Sequence, residues 1–256
     1  RYDLAARHSL GQHFLLDLNL TRRIARGAGP LAGRTAVEIG PGPGGLTRAL
    51  LEADAAHVLA IEIDDRAVGA LAPLADAADG RLTVLQADAL TLDLGAEARS
   101  RDLPLPLTIV SNLPYNVGTP LLLRWLGGLD DIAGMTLMFQ KEVGDRLVAE
   151  RRTKAYGRLS VMAQWLCRVE RLFNVPAAAF TPPPKIASTV IRLTPHPAPL
   201  APCAKPMLEA VAAAAFGQRR KMLRGSLGSL GVPVADLMPL ISPTVTWPMK
   251  AWMGMP

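Results

Sequence analysis

The chain has 256 residues, 50% of them hydrophobic, and a formal net charge of +6. This length suits one large domain and a small one. It contains no run of about 18 apolar residues that would predict a membrane-spanning helix, and its start shows no signal-peptide pattern. Two cysteines, Cys167 and Cys203, are too few for a disulfide framework or a zinc site. We therefore expect a protein of a reducing compartment that holds no metal.

A short β-prone run, residues 35–40, ends in a loop rich in glycine. Residues 41–45 read Pro-Gly-Pro-Gly-Gly, and residues 46–51 have helical character. A strand, a glycine loop and a helix form a turn of the nucleotide-binding type. Because the two prolines remove N–H donors and no Lys-Ser/Thr pair follows, the pattern disfavours a dinucleotide or a triphosphate. A tight connection between a strand and a helix would give the same pattern.

Acidic residues end the next two predicted strands. Residues 57–64 contain Glu62, which follows Gly40 by 22 positions. An acidic residue about 20 positions after such a glycine binds ribose hydroxyls in nucleotide-binding sheets. Residues 82–88 end in Asp88, a side chain that can accept a hydrogen bond from an adenine amino group. Each acid alone is typical of a helix cap, but their recurrence at strand ends favours a ligand site.

Asn112-Leu113-Pro114-Tyr115 follows the apolar run 107–110. The Asn112 side-chain oxygen and the Leu113 or Pro114 carbonyl can each accept an N–H from a planar amine such as adenine N6. These bonds would make the nitrogen more nucleophilic, and an aromatic ring can stack on the base. A turn that ends a strand would use the same residue types. The neighbouring strand ends favour the chemical interpretation.

Predicted strands and helices alternate through the first two thirds of the chain, which indicates a parallel sheet with helices on both faces. The strands lie near 35–40, 57–64, 82–88, 107–112 and 134–140, and the helices near 45–53, 65–75, 119–126 and 141–150. Residues 188–193 predict a final, antiparallel strand, and the proline-rich residues 195–202 a linker. An alanine-rich helix is expected from about 206 to 227.

Charge is distributed unevenly along the chain. Residues 1–139 hold 12 Lys and Arg against 16 Asp and Glu, whereas residues 140–224 hold 15 against 5. A basic second half favours binding to a polyanion, although scattered basic residues also form ordinary solvated surfaces. The clusters expected to contact RNA phosphates comprise Arg151, Arg152 and Lys154, and Arg219, Arg220, Lys221 and Arg224.

Nine segments together resemble the KsgA-type small-subunit rRNA adenine dimethyltransferase family, over about residues 7–227. The segments are residues 11–15, 37–42, 61–64, 86–89, 112–116, 140–143, 156–161, 180–185 and 216–221. The resemblance implies an α/β fold, a Rossmann-like class I methyltransferase sheet with a small C-terminal helical domain. We expect a methyltransferase domain over 1–198 and a helical RNA-binding domain over 199–256.

The resemblance also implies the activity. S-adenosylmethionine would donate methyl groups to N6 of two adjacent adenines near the 3′ end of small-subunit rRNA, leaving S-adenosylhomocysteine. The partners would be the small ribosomal subunit and its rRNA, and we expect a cytoplasmic monomer without a membrane association. The methyl transfer would be direct and need no general base, because a methylated adeninium amine is acidic enough to release its proton to water.

Site residues are carried over from the family one by one. Those expected to bind the donor are His13, Leu15, Gly40, Gly42, Glu62, Asp88 and Asn112. Those expected to be catalytic are Asn112, Leu113, Pro114, Tyr115 and Phe180. His13 departs from the family, which more often has Asn there. Phe180 begins a segment with three prolines, and we expect its ring and that of Tyr115 to stack on either side of the target adenine. The alternative is that the Phe180 side chain fills the core.

Three other functions remain open. The first is a large-subunit rRNA adenine dimethyltransferase of the antibiotic-resistance type; residues 156–161 and the long basic second half resemble the small-subunit type more closely. The second is a methyltransferase-derived assembly or transcription factor without catalysis, which the intact Glu62, Asp88 and Asn112 disfavour. The third is an amino-methylating DNA enzyme, which Leu113 between Asn and Pro disfavours.

Overall fold

The computed structural model describes residues 13–217, which form nine strands, eight α-helices and a short 3-10 helix, Ala177–Ala179. The strands are β1 (Phe14–Leu15), β2 (Thr35–Ile39), β3 (His57–Glu62), β4 (Leu82–Gln86), β5 (Leu107–Asn112), β6 (Ile132–Gln140), β7 (Cys167–Val175), β8 (Phe180–Thr181) and β9 (Ser188–Pro195). The helices are α1 (Leu18–Gly27), α2 (Gly45–Glu52), α3 (Asp65–Asp76), α4 (Leu94–Arg99), α5 (Gly118–Trp125), α6 (Lys141–Leu147), α7 (Arg158–Leu166) and α8 (Lys205–Gly217).

Seven strands form one sheet in the order β4-β3-β2-β5-β6-β9-β7. Strands β4, β3, β2, β5 and β6 run parallel, and β9 pairs antiparallel with β6. The chain order reverses at β2, which lies between β3 and β5, and ligands of open α/β sheets bind at such a switch point. A separate two-stranded sheet pairs β1 with β8, with Leu15 opposite Phe180.

The central strands are buried on both faces, as their nearly continuous apolar sequences predict. Every residue of β2 is buried, and so are all but the first residue of β3 and all but the last of β5. Helix α2 packs Leu46 and Leu50 into the same core. Aspartates cap three helices: Asp17 precedes α1, Asp64 precedes α3 and Asp93 precedes α4, and each accepts a backbone N–H of the first turn.

The described chain divides into two compact units. The first comprises residues 13–144 and 169–195, and the second residues 145–168 and 196–217. Within the second unit, Trp165 Nε1 donates to the Ala201 carbonyl at 2.8 Å, and the Tyr156 and Phe216 rings lie 6.0 Å apart. The domain boundary between residues 198 and 199 stays a prediction.

The expected fold class is confirmed, and all five central strands lie where the sequence predicts them. The antiparallel strand expected over 188–193 is also present, and it extends to Pro195. The helix predicted over 141–150 ends earlier, at Leu147. Helices α1, α4 and α7 and strands β1, β7 and β8 were not predicted. Within residues 13–217, every helix falls short of the length and hydropathy that crossing a bilayer requires.

Candidate active site

The carboxyl ends of β2, β3, β4 and β5 surround one cavity. Ten of the predicted site residues line it: His13, Leu15, Gly40, Gly42, Glu62, Asp88, Asn112, Leu113, Pro114 and Tyr115. The sheet order brings these strand ends together although they are far apart in sequence. The structure thus gathers all seven predicted donor-binding residues and four of the five predicted catalytic residues in the same place.

The glycine loop forms one wall, and its conformation at Gly40 and Gly42 favours glycine. Gly40 and Gly42 have φ angles of +66° and +53°, a region that L side chains rarely adopt. A Cβ atom on Gly42 would lie only 2.9 Å from the Phe14 ring. The loop backbone therefore lies open to the cavity on one side and is packed by β1 on the other.

Glu62 holds this wall in place. Its carboxylate accepts the N–H of Gly42 at 3.2 Å, and those of Ile63 and Asp64 at 2.9 Å each. Burial raises the pKa of Glu62 above its ordinary value, and the three backbone hydrogen bonds act in the opposite direction. The Glu62 carboxylate and the glycine loop therefore line the same part of the cavity, where the carboxylate could accept hydrogen bonds from ligand hydroxyl groups.

Glu38 also lines the cavity, and it was not among the predicted site residues. It is 2% exposed, and Thr47 Oγ1 donates to its Oε2 at 2.6 Å. Its pKa is raised to about 8; burial is the main cause, the neighbouring Glu62 contributes to the rise, and the Thr47 hydrogen bond acts against it. The sequence signal that could have identified Glu38 is a charged residue inside the apolar run 35–39. Strands that are buried on both faces seldom contain a charged side chain.

Asp88 lies at the exposed rim of the cavity, just after β4. Its Oδ1 accepts the N–H of Leu90 at 2.9 Å, which fixes the carboxylate in the turn. Its other oxygen provides lone pairs for a ligand amino group.

Asn112 is oriented by the N-terminal segment. Its Nδ2 donates to the backbone carbonyl of His13 at 3.0 Å. Because a carbonyl only accepts, the amide must turn its NH₂ toward His13, and Oδ1 is left to accept a hydrogen bond elsewhere. The preceding residue, Ser111, donates from Oγ to the Ile39 carbonyl at 2.6 Å and so ties the end of β5 to the end of β2.

The two backbone carbonyls after Asn112 are not equivalent. The Pro114 carbonyl accepts the N–H of Val117 at 3.1 Å and that of Gly118 at 3.0 Å, as α5 begins. These two bonds use both of its lone pairs. Of the two carbonyls that the sequence leaves open, that of Leu113 is therefore the better acceptor for a substrate N–H.

Three aromatic rings meet beside Asn112. The His13 ring lies 5.2 Å from that of Tyr115 and 6.5 Å, edge-on, from that of Phe180. His13 Nδ1 lies 2.9 Å from the Pro182 carbonyl, so Nδ1 carries the proton. The Tyr115 hydroxyl lies 2.6 Å from Ser188 Oγ, and burial raises the pKa of Tyr115.

Phe180 does not line the cavity. Its side chain is 3% exposed, belongs to the hydrophobic core and is not among the residues that line the cavity. Its expected stacking on a target base stays a prediction.

Of the two basic clusters, one lies within the described residues. Arg151, Arg152 and Lys154 lie in the turn between α6 and α7, with Arg152 and Lys154 exposed. Their contact with RNA stays a prediction. Arg219, Arg220, Lys221 and Arg224 lie outside the described residues. In residues 13–217, no three His, Cys, Asp or Glu side chains form a group that could hold a metal ion.

A sheet of this order, with a glycine loop after β2 and acidic residues ending β3 and following β4, defines a class I methyltransferase. The chain belongs to the ribosomal RNA adenine dimethylase family, whose model matches residues 4–249. This confirms the family predicted from the sequence.

Similar proteins agree with this assignment. The chain is 58% identical over 231 residues to ribosomal RNA small subunit methyltransferase A of Paramagnetospirillum magneticum, covering 90% of this chain and 80% of that protein. It is 56% identical over 230 residues to the protein of the same name from Rhodospirillum rubrum, covering 90% and 78%.

Solved structures show the same fold. A dimethyladenosine transferase from Plasmodium falciparum matches with a TM-score of 0.70 at 24% identity, covering 94% of this chain and 87% of that one. The 23S rRNA methyltransferase ErmE matches with a TM-score of 0.67 at 27% identity, covering 92% and 93%.

Proposed function

We propose that this protein transfers methyl groups from S-adenosylmethionine to N6 of two adjacent adenines near the 3′ end of small-subunit rRNA, during maturation of the small ribosomal subunit. The observation that carries the proposal is the convergence of the Asn112-Leu113 acceptor groups with the glycine loop, Glu62 and Asp88 in one cavity. Membership of the ribosomal RNA adenine dimethylase family supports it.

The donor side of the cavity suits S-adenosylmethionine. This donor supplies an electrophilic methyl group on a positively charged sulfur. The Glu62 carboxylate would accept the ribose hydroxyls beside the glycine loop, and Asp88 would accept the amino group of the donor's adenine. The positive φ angles of Gly40 and Gly42 shape the loop backbone that would lie against the donor. His13 and Leu15 would close the cavity from the N-terminal segment.

The acceptor side suits a planar amine. Asn112 Oδ1, directed by the bond from Nδ2 to His13, would accept one N–H of adenine N6. The Leu113 carbonyl would accept the other, because the Pro114 carbonyl is already occupied. These two bonds draw the nitrogen toward a pyramidal geometry and align its lone pair with the methyl group. After transfer the nitrogen releases its proton to water, so no side chain has to act as a base.

Tyr115 would hold the flipped base in line. Its hydroxyl is anchored on Ser188 of β9, which is fully buried, so the ring has a fixed place at the cavity wall. Phe180 would complete the sandwich only if the His13 ring, which lies near both aromatic rings, moved.

The RNA partner is a ribosomal RNA, and we propose the small subunit as its source. The relatives that support this are 56% and 58% identical, whereas the large-subunit enzyme ErmE is 27% identical. The basic residues Arg151, Arg152 and Lys154 would contact phosphates without reading the base sequence. We expect a monomer that acts in the cytoplasm, where ribosomal subunits are assembled.

Mass spectrometry of nucleosides tests the proposal. Unmodified small subunits, large subunits and their free RNAs would each be incubated with the protein and S-adenosylmethionine, with donor-free reactions as controls. The proposal predicts N6,N6-dimethyladenosine in the small-subunit samples alone. Product only in large-subunit RNA would indicate the resistance-type enzyme. Donor binding without product in any sample would support the non-catalytic factor.

A further inference from the structure

Glu38 is a buried carboxyl group in the wall of the donor cavity. It lies in the central strand β2, is 2% exposed, and lines the cavity together with the glycine loop. Its Oε2 accepts the hydroxyl of Thr47 from α2 at 2.6 Å. A single neutral donor replaces little of the hydration that a carboxylate loses on burial.

The groups around Glu38 do not supply positive charge. Glu62 from β3 lines the same cavity, Asp88 lies at its rim, and His13 faces it from the N-terminal segment. Asp64, just beyond Glu62, is paired with Arg66 at 2.7 Å. Among the described residues that line the cavity, none is Lys or Arg. Three carboxyl groups therefore line the cavity, and no Lys or Arg side chain among the described lining residues balances their charge.

These surroundings favour the neutral form of Glu38. Its pKa is raised to about 8, mainly by burial and in smaller part by the nearby Glu62, against the lowering effect of the Thr47 hydrogen bond. Near pH 7 the group is therefore mostly protonated when the cavity holds no cation.

We propose that Glu38 is a donor-binding residue that is neutral in the donor-free protein and gives up its proton to solvent when a cationic donor enters the cavity. The O–H bond breaks, the proton leaves to water, and the carboxylate then faces a ligand with a net charge of about +1 at neutral pH, from its sulfonium, ammonium and carboxylate groups. This inference rests on S-adenosylmethionine being the donor, as proposed above.

The consequence is a preference for donor over product. S-adenosylhomocysteine lacks the sulfonium charge and is neutral overall, so its binding favours the ionised form of Glu38 less than donor binding does. The carboxylate therefore stabilises the bound donor more than the bound product, which favours product release after methyl transfer. Linkage also requires that donor affinity rise with pH until the pKa of the free protein is passed.

Isothermal titration calorimetry at pH 7 tests this, in two buffers of different ionisation enthalpy, with S-adenosylmethionine and S-adenosylhomocysteine as ligands. Three proteins would be compared: the wild type, Glu38→Gln and Glu52→Gln. Glu52 is a matched control because it lies on α2 with a side chain 52% exposed and pairs with Arg22 away from the cavity. Gln at position 38 keeps an acceptor for Thr47 but cannot ionise.

The wild type should release roughly 0.9 proton more per bound donor than Glu38→Gln, the value expected one pH unit below the pKa. Glu52→Gln should match the wild type. The preference for donor over product should fall roughly tenfold in Glu38→Gln, the effect of one unit charge at partial screening. Equal proton release by the wild type and Glu38→Gln, with donor binding intact, would overturn the inference and leave the proposed function standing. No donor binding by the wild type would overturn both.

Infrared difference spectroscopy of the wild type provides a second test that does not depend on a variant. Donor binding should remove the C=O absorption of one protonated carboxyl group, and product binding should remove much less of it. An unchanged carboxyl absorption on donor binding would contradict the proposed ionisation.

Discussion

The hydrogen bond between Tyr115 and Ser188 allows a quantitative test of how the Tyr115 ring is held at the cavity wall. The two hydroxyl oxygens lie 2.6 Å apart, and Ser188 is fully buried in β9. Tyr115→Phe removes one hydroxyl and keeps the ring. The Ser188 hydroxyl then lies buried without this partner, which costs about 1–3 kcal/mol of unfolding free energy.

A double-mutant cycle separates this bond from the packing around it. Ser188→Ala alone should cost a similar amount, whereas the double variant Tyr115→Phe with Ser188→Ala should cost less than the sum, because no orphaned hydroxyl remains. We expect a coupling energy of about 1 kcal/mol or more. For a chain of this size, each kcal/mol shifts the melting temperature by about 2–4 °C.

The assay is chemical denaturation of the four proteins, followed by methyl-transfer rates under single-turnover conditions. Tyr115→Phe should reduce the rate by less than about tenfold, because the ring that would stack on the base is retained. Additive effects of the two substitutions on stability would refute the view that this hydrogen bond anchors Tyr115 at the cavity wall.

Three further predictions follow from other parts of the structure. Gly42→Ala should weaken donor binding at least about tenfold, because an Ala with positive φ costs about 1–2 kcal/mol and its Cβ meets the Phe14 ring; titration with S-adenosylmethionine measures this, and wild-type affinity would contradict it. Glu38→Gln should raise the unfolding free energy by roughly 3–4 kcal/mol near pH 7 and leave it unchanged below about pH 4, because the raised pKa of Glu38 removes stability as the pH rises from the unfolded value to about 8. Chemical denaturation at the two pH values measures this, and an equal gain at both would contradict it. At pH 8 a thiol reagent should modify the exposed Cys203 quickly and Cys167 only after unfolding, because burial raises the pKa of the Cys167 thiol to about 12; rapid modification of both thiols in the native protein would contradict this.

Most of the sheet and of the cavity can be predicted from the sequence, because local residue patterns identify the strands and the residues at their ends. Apolar runs that end in Glu62, Asp88 and Asn112 identify both the strands and the edge at which they meet. The parallel arrangement then places these side chains together without any knowledge of distances.

Elements on the periphery were harder to predict. Helix α1 contains Arg22, Arg23 and Arg26, so its buried stripe of Thr21, Ile24 and Ala25 is narrow. Strand β7 lies at the edge of the sheet, where exposed charged residues interrupt the alternation that identifies a strand.

Site details that depend on distant partners could not be predicted. The orientation of the Asn112 amide comes from a carbonyl 99 residues away in sequence, at His13. The occupied Pro114 carbonyl depends on where α5 begins. The raised pKa of Glu38 depends on its burial, on Thr47 from a helix and on Glu62 from a neighbouring strand.

The central claim is that Asn112 activates the amine, while the donor is bound mainly by other residues. Its most direct test compares Asn112→Ala with the wild type in two measurements: the single-turnover rate of adenine methylation on unmodified small subunits, and S-adenosylmethionine affinity by calorimetry. Asn174→Ala, at an exposed position on β7, is the matched control. The account predicts that Asn112→Ala lowers the rate by about 10²–10³-fold, the effect of removing one preorganised hydrogen-bonding group, while donor affinity changes only a few-fold. A near wild-type rate for Asn112→Ala would contradict it.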